Sequence, residues 1–194
     1  MRHLIDAYIQ AEDSTQVSTL NDMSLIQLIV ERGLGAIEGM PKGISANKEA
    51  MAEAIENNVR RLIIDERPVN PKYYEMMSAL LDALIKKRKE EAIEYEEYLK
   101  EIIELTKRVV TPSCYADYPS SMSTMGKRAL YDNLEKNELL ALQVDKAVHL
   151  NKEHGWIGHQ VKEKKLKNAL RKVLGVESLT NSVLEIVKLQ DEYQ

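Results

Sequence analysis

The sequence predicts an all-α protein, a helical bundle with a long antiparallel hairpin and a second group of shorter helices. Three observations point there. Only 8 glycines and 5 prolines occur in 194 residues, roughly half of average usage, so few turns are written into the chain. Apolar residues recur at three- and four-residue steps almost throughout, the signature of one buried helix face. The breakers that do occur stand where those stripes begin or end.

Taken in order, Asp22 can cap a helix carrying Leu25, Leu28 and Ile29, with Gly33 placed to end it. A glycine-rich loop, GLGAIEGMPKG, follows. Met51, Ile55, Val59, Leu62 and Ile63 form the next stripe, which stops at Pro68 because proline has no N–H to give a helix. Asn70-Pro71 reads as a cap followed by proline at the first helical position. The helix it opens is expected to bury Tyr73, Met77, Leu80, Leu81 and Leu84. A second long stripe runs from about Tyr95 to Val109 through Leu99, Ile102, Ile103 and Leu105. The short polar joint between these two helices predicts an antiparallel hairpin over about 70–110.

Residues 111–124, TPSCYADYPSSMST, carry no stripe, and prolines and hydroxyl residues crowd there. The expected organisation is a helical domain over 1–110, a linker-like loop over 111–124, and a smaller helical subdomain over 125–194 packed on the first. Four helices are expected in the last part. One runs from about Met125 to Asn133 behind Ser123 or Thr124, and one opens at Asn137 with Leu140, Val144 and Val148. A third spans about Val161 to Leu174 and ends at Gly175, and the last starts after Thr180.

Composition sets bounds on function. Net charge is −4, so nucleic-acid contact would have to be local. There is no apolar run near the ~20 residues of a membrane span, and MRHLIDAYIQAED lacks the apolar stretch of a secretory signal. The single Cys114 excludes an internal disulfide and suits a reducing cytoplasm.

Catalytic patterns fail one by one. Gly39-Met-Pro-Lys-Gly43-Ile-Ser45 has glycine and lysine in the wrong order for a phosphate-binding loop. Glu163-Lys164-Lys165 matches the end of a nuclease motif but lies in a helical stripe. His149, His154 and His159 recur every five residues, a step that turns about 140° around a helix and scatters them, so they read as surface histidines at a helix end. No glycine-flanked serine elbow exists, and Cys114 reads as a spare thiol. The run Lys86-Lys87-Arg88-Lys89 followed by Glu90 and Glu91 is explained by helix dipoles at a helix end and the next beginning. No catalytic, cofactor-binding or metal-binding residue is assigned.

The most suggestive feature is QVKEKKLKNALRKVL, residues 160–174. Lys162, Lys164, Lys165, Lys167, Arg171 and Lys172 face one acid, Glu163. Such a helix can grip phosphates with strong salt dependence, dock on an acidic partner, or form a solvated face over Leu166, Leu170 and Val173. Trp156 is the only nearby aromatic platform for single-strand stacking.

LIDAYIQAE, DMSLIQLIVERG, the long block from NKEAMAEAIENNVRRLIIDERPVNPKYYEMM to EIIELTKRV, Tyr118-Pro119 followed by RALYDNL, GWIGHQVKEKKLKNALRKVL and VLEIVKLQDEY stand in this order. Together they resemble the C-terminal helical region of the R (restriction and translocation) subunit of type I restriction–modification enzymes. The resemblance spans about Leu4 to Tyr193. It departs from the family at His159-Gln160-Val161, where an Asn-Pro-Phe-like sequence is more usual. The complete R subunit, several times longer, carries a PD-(D/E)xK-type nuclease domain and two RecA-like motor domains that use ATP and magnesium. It is a site-specific endonuclease that translocates DNA. The resemblance implies that this region helps join the motor to the methyltransferase (M) and specificity (S) subunits. The nuclease and motor motifs are absent from these residues, so no catalytic role carries over. The expectation is a non-catalytic assembly domain without a cofactor of its own, and the alternative is a sequence-independent DNA-backbone-binding module.

Overall fold

A computed structural model of the chain describes residues 25–33, 35, 47–112 and 117–194. These residues form eight α-helices and one 3-10 turn, with no strand among them. The all-α class therefore stands. No helix of the described residues is long and apolar enough to cross a membrane.

Local chemistry sets most boundaries. Helix α1 (Leu25–Arg32) ends at Gly33, whose φ of +56° suits glycine and whose N–H donates to the Ile29 carbonyl at 2.9 Å. Its expected cap, Asp22, lies outside the described residues, as does the loop from Gly39 to Ser45. The Asn47 side chain opens α2 (Lys48–Glu66) by accepting from the Glu49 and Ala50 amides. Asn70 opens α3 (Pro71–Lys89) with proline at the first position. Helix α4 (Tyr95–Val110) follows a short joint. Thr124 caps α5 (Met125–Asn133), and Asn137 caps α6 (Glu138–Asn151). Helix α7 (Gln160–Leu174) ends at Gly175 in the left-handed region, φ +72°.

The final helix, α8 (Glu177–Lys188), begins before the predicted start after Thr180. Gly175 has already broken the chain, and Glu177 places an acid in the first turn, where the dipole favours it. Thr180 sits inside, its hydroxyl donating back to the Val176 carbonyl at 2.7 Å. A mid-helix threonine satisfied in this way looks like a cap in the sequence.

Helices α1 to α4 enclose one apolar cluster, built from Ile29, Ile55, Val59, Leu81, Tyr98 and Ile102 among others. Helices α3 and α4 run antiparallel. The Tyr73 hydroxyl near the start of α3 donates to the Arg108 carbonyl near the end of α4 at 2.8 Å, while Lys87 meets Glu101 at the opposite end. Leu80 is not buried as predicted but 42% exposed. The α3 stripe is Tyr73, Tyr74, Met77, Leu81 and Leu84, which turns Leu80 to its edge.

Arg88 leaves the solvated basic block altogether. It turns inward to Glu56, with Nε donating at 2.8 Å, and Tyr98 donates its hydroxyl to the same carboxylate at 2.8 Å. Burial opposes the Arg88 charge, but the bonds to Glu56 and Glu49 outweigh it and hold the guanidinium more firmly protonated than usual.

Helices α5 to α8 enclose a second cluster that includes Leu130, Val144, Trp156, Leu166, Leu170 and Tyr193. Trp156 donates its indole N–H to the Tyr193 carbonyl at 2.7 Å, and the Tyr193 hydroxyl donates to Asp145 at 2.7 Å. The end of the 111–124 stretch belongs to this cluster through the buried Met122.

A polar junction ties the two clusters. The Asn70 amide donates to Asp132 at 2.7 Å and accepts from the Asn133 amide at 2.9 Å. Tyr118 donates to the same Asp132 oxygen at 2.7 Å, and the Gln190 amide reaches the Val69 carbonyl at 2.9 Å. Burial raises the Asp132 carboxyl above its ordinary value, against the opposing pull of the Tyr118 and Asn70 hydrogen bonds. A carboxyl that holds its proton more tightly folded than unfolded favours the fold most below the ordinary carboxylate value, and that contribution is lost as pH rises through the raised folded value. Urea midpoints followed across that window should therefore fall with rising pH relative to those of Asp132→Asn. Parallel profiles for the two proteins would contradict the junction's electrostatics.

Candidate interaction surface

Helix α7 carries the basic residues because Leu166 and Leu170 fix its inner face in the second cluster, leaving the lysines to the outer arc. His159 opens the helix, its Nδ1 accepting from the Lys162 amide at 3.4 Å. A ring nitrogen at the helix N-terminus acts here as an acceptor and caps the helix, and His159 is exposed at a helix end as expected.

The six cations divide by partner. Lys162 donates to the His154 carbonyl at 2.7 Å. Lys165 pairs with Glu153. Lys167 and Arg171 share Glu177 at 2.6 and 3.4 Å. The hydrogen bond from Lys165 holds Glu153 below the usual carboxylate range, and that from Lys167 does the same for Glu177. Glu163, the helix's own acid, is held low by the Gly158 amide and then by Lys188. Lys164 and Lys172 are exposed and meet no carboxylate among the described residues.

These placements split the helix surface. Lys167 and Arg171 lean toward the α8 start, where their charge is spent internally. Lys165 and Lys172 border a groove of about 800 Å³ between α6 and α7. Lys146 of α6 joins them, and sequence reasoning missed it. The available signal was the spacing of Leu139, Gln143, Lys146 and Leu150, a stripe at four- and three-residue steps lying off the α6 core stripe. The groove floor is Ala147, Ala169 and Val173, and no acid among the described residues lines it.

Other features find their places. Trp156 is 1% exposed and offers no stacking platform. Glu163-Lys164-Lys165 lies on a helix. His149 packs edge-on against Tyr193 and lies 3.5 Å from Asp145. Cys114 lies outside the described residues. Among the described residues, no three His, Cys, Asp or Glu side chains converge as a metal site would require. A furrow along the α3–α4 pair is floored by Leu80, Leu84 and Leu105 and rimmed by charges of both signs.

No family model matches the chain, and neither does any curated protein or solved structure.

Proposed function

We propose that this chain is a helical assembly domain of a type I restriction endonuclease R subunit, coupling the ATP-dependent translocase and nuclease to the M and S core. The ordered sequence blocks from Leu4 to Tyr193 carry the reading. Two packed helical clusters tied by a hydrogen-bonded junction suit a bracket, because a bracket must transmit force without yielding. ATP and magnesium belong to the motor of the resembled subunit, and the bracket works beside it in the cytoplasm.

A competition experiment tests this. Excess chain added to intact R subunit and M/S core should suppress ATP-dependent DNA cleavage while leaving methylation untouched. Undiminished cleavage at saturating chain would contradict the proposal.

The second reading, sequence-independent DNA-backbone binding, has support in Lys164 and Lys172, whose charges meet no carboxylate among the described residues. It calls for binding that weakens steeply with salt and falls in the Lys164→Glu, Lys165→Glu double variant.

A further inference from the structure

The α6–α7 groove combines three properties. Its cationic rim is Lys146 and Lys172, with Lys165 beside them already paired with Glu153, and no carboxylate of the described residues lines it. Its floor is apolar, formed by Ala147, Ala169 and Val173, side chains small enough for a partner backbone to come close. Large aliphatic side chains stand open beside it. Leu150, which lines it, is 72% exposed, and Leu139, three turns earlier on the same α6 stripe, is 74% exposed.

We propose that this groove receives an acidic amphipathic helix of a protein partner, with leucine-like side chains laid on the alanine floor and carboxylates meeting the lysines. The charge complementarity selects an acidic occupant, and the apolar floor with its open leucines selects a helix over a phosphate backbone. A phosphodiester chain would use the lysines and leave Leu150 in water; an amphipathic helix uses both. Cations committed to Glu177 on the far side of α7 take no part. The inference deepens the assembly reading, from which it takes only the idea that the partner is a protein.

The test uses the full chain and a fluorescein-labelled, helix-forming peptide of about 18 residues, with leucines at i, i+4, i+7 and i+11 flanked by glutamates. A labelled DNA duplex of about 20 base pairs is the comparison probe. Anisotropy should show peptide binding that weakens at least about tenfold in the Lys146→Glu, Lys172→Glu double variant and weakens in Leu150→Ser. The Lys86→Glu, Lys89→Glu pair on α3 makes the same charge change and should leave binding near that of the parent. Trp156 emission checks that each variant is folded.

Absence of peptide binding, or equal losses in both lysine pairs, would overturn the proposal. So would DNA binding that is tighter than peptide binding and lost in the groove pair, since that would make the groove a nucleic-acid site. The assembly reading fails separately. A chain that does not join the M/S core yet holds the peptide through the groove sinks that reading alone. A chain that joins the core and ignores the peptide sinks only the groove.

Discussion

Glu56→Ala should cost the chain about 3–5 kcal/mol in urea denaturation, because removing one partner of a buried ion pair strands the other. The Glu56 and Arg88 side chains are 8% and 10% exposed. The carboxylate accepts from Arg88 Nε and from the Tyr98 hydroxyl, each at 2.8 Å, and from Arg88 Nη2 at 3.3 Å. Without it, the guanidinium keeps the exposed Glu49 and the face of the Tyr98 ring, and the phenol loses its acceptor. The double variant Glu56→Leu, Arg88→Met should regain most of the loss, since apolar groups of similar volume remove the unmet charge along with the bond. A single-variant cost under about 1 kcal/mol would mean the pair is solvated in the manner of a surface bridge.

Trp156→Ala should destabilise the second cluster by about 3–5 kcal/mol, the range for deleting a large buried ring. Trp156 is among the largest fully buried side chains, and its indole N–H anchors the Tyr193 carbonyl at 2.7 Å. That bond folds the 3-10 turn Asp191–Tyr193 back onto α6, where the Tyr193 hydroxyl reaches Asp145. Loss of the ring therefore opens a cavity and frees a strut at the same time. Circular dichroism suits this variant, since Trp156 is the only tryptophan. In the parent its emission reports the second cluster specifically. Following that emission in Glu56→Ala shows whether damage in the first cluster crosses the Asn70–Asp132 junction. Coincident transitions by emission and circular dichroism are expected.

What could be read from the sequence follows from how local each cause is. Asn70-Pro71, Thr124, Asn137, Gly33 and Gly175 act on backbone groups within a turn of themselves, so the helix ends they set were legible. Thr180 misled because a threonine that bonds back to the carbonyl four residues earlier resembles one that caps. Leu80 misled because it sits one step off a stripe whose second member, Tyr74, is amphipathic. Arg88 could not be placed at all. Within a run of four basic residues nothing distinguishes the one whose acceptor lies 32 positions away in the chain.

The candidate surface divides in the same way. The charge of α7 was plain, but which cations stay free depends on Glu153 and Glu177, brought in by the segment before the helix and by α8. Lys146 entered only once α6 lay beside α7.

Everything functional turns on whether these helices hold a larger machine together. Sedimentation velocity of the purified chain with M/S complex at micromolar concentrations measures that directly. The account predicts a faster boundary carrying both components, and a chain that by itself neither hydrolyses ATP nor cuts plasmid. Independent sedimentation of chain and complex, or nucleotide hydrolysis by the chain alone, would contradict it.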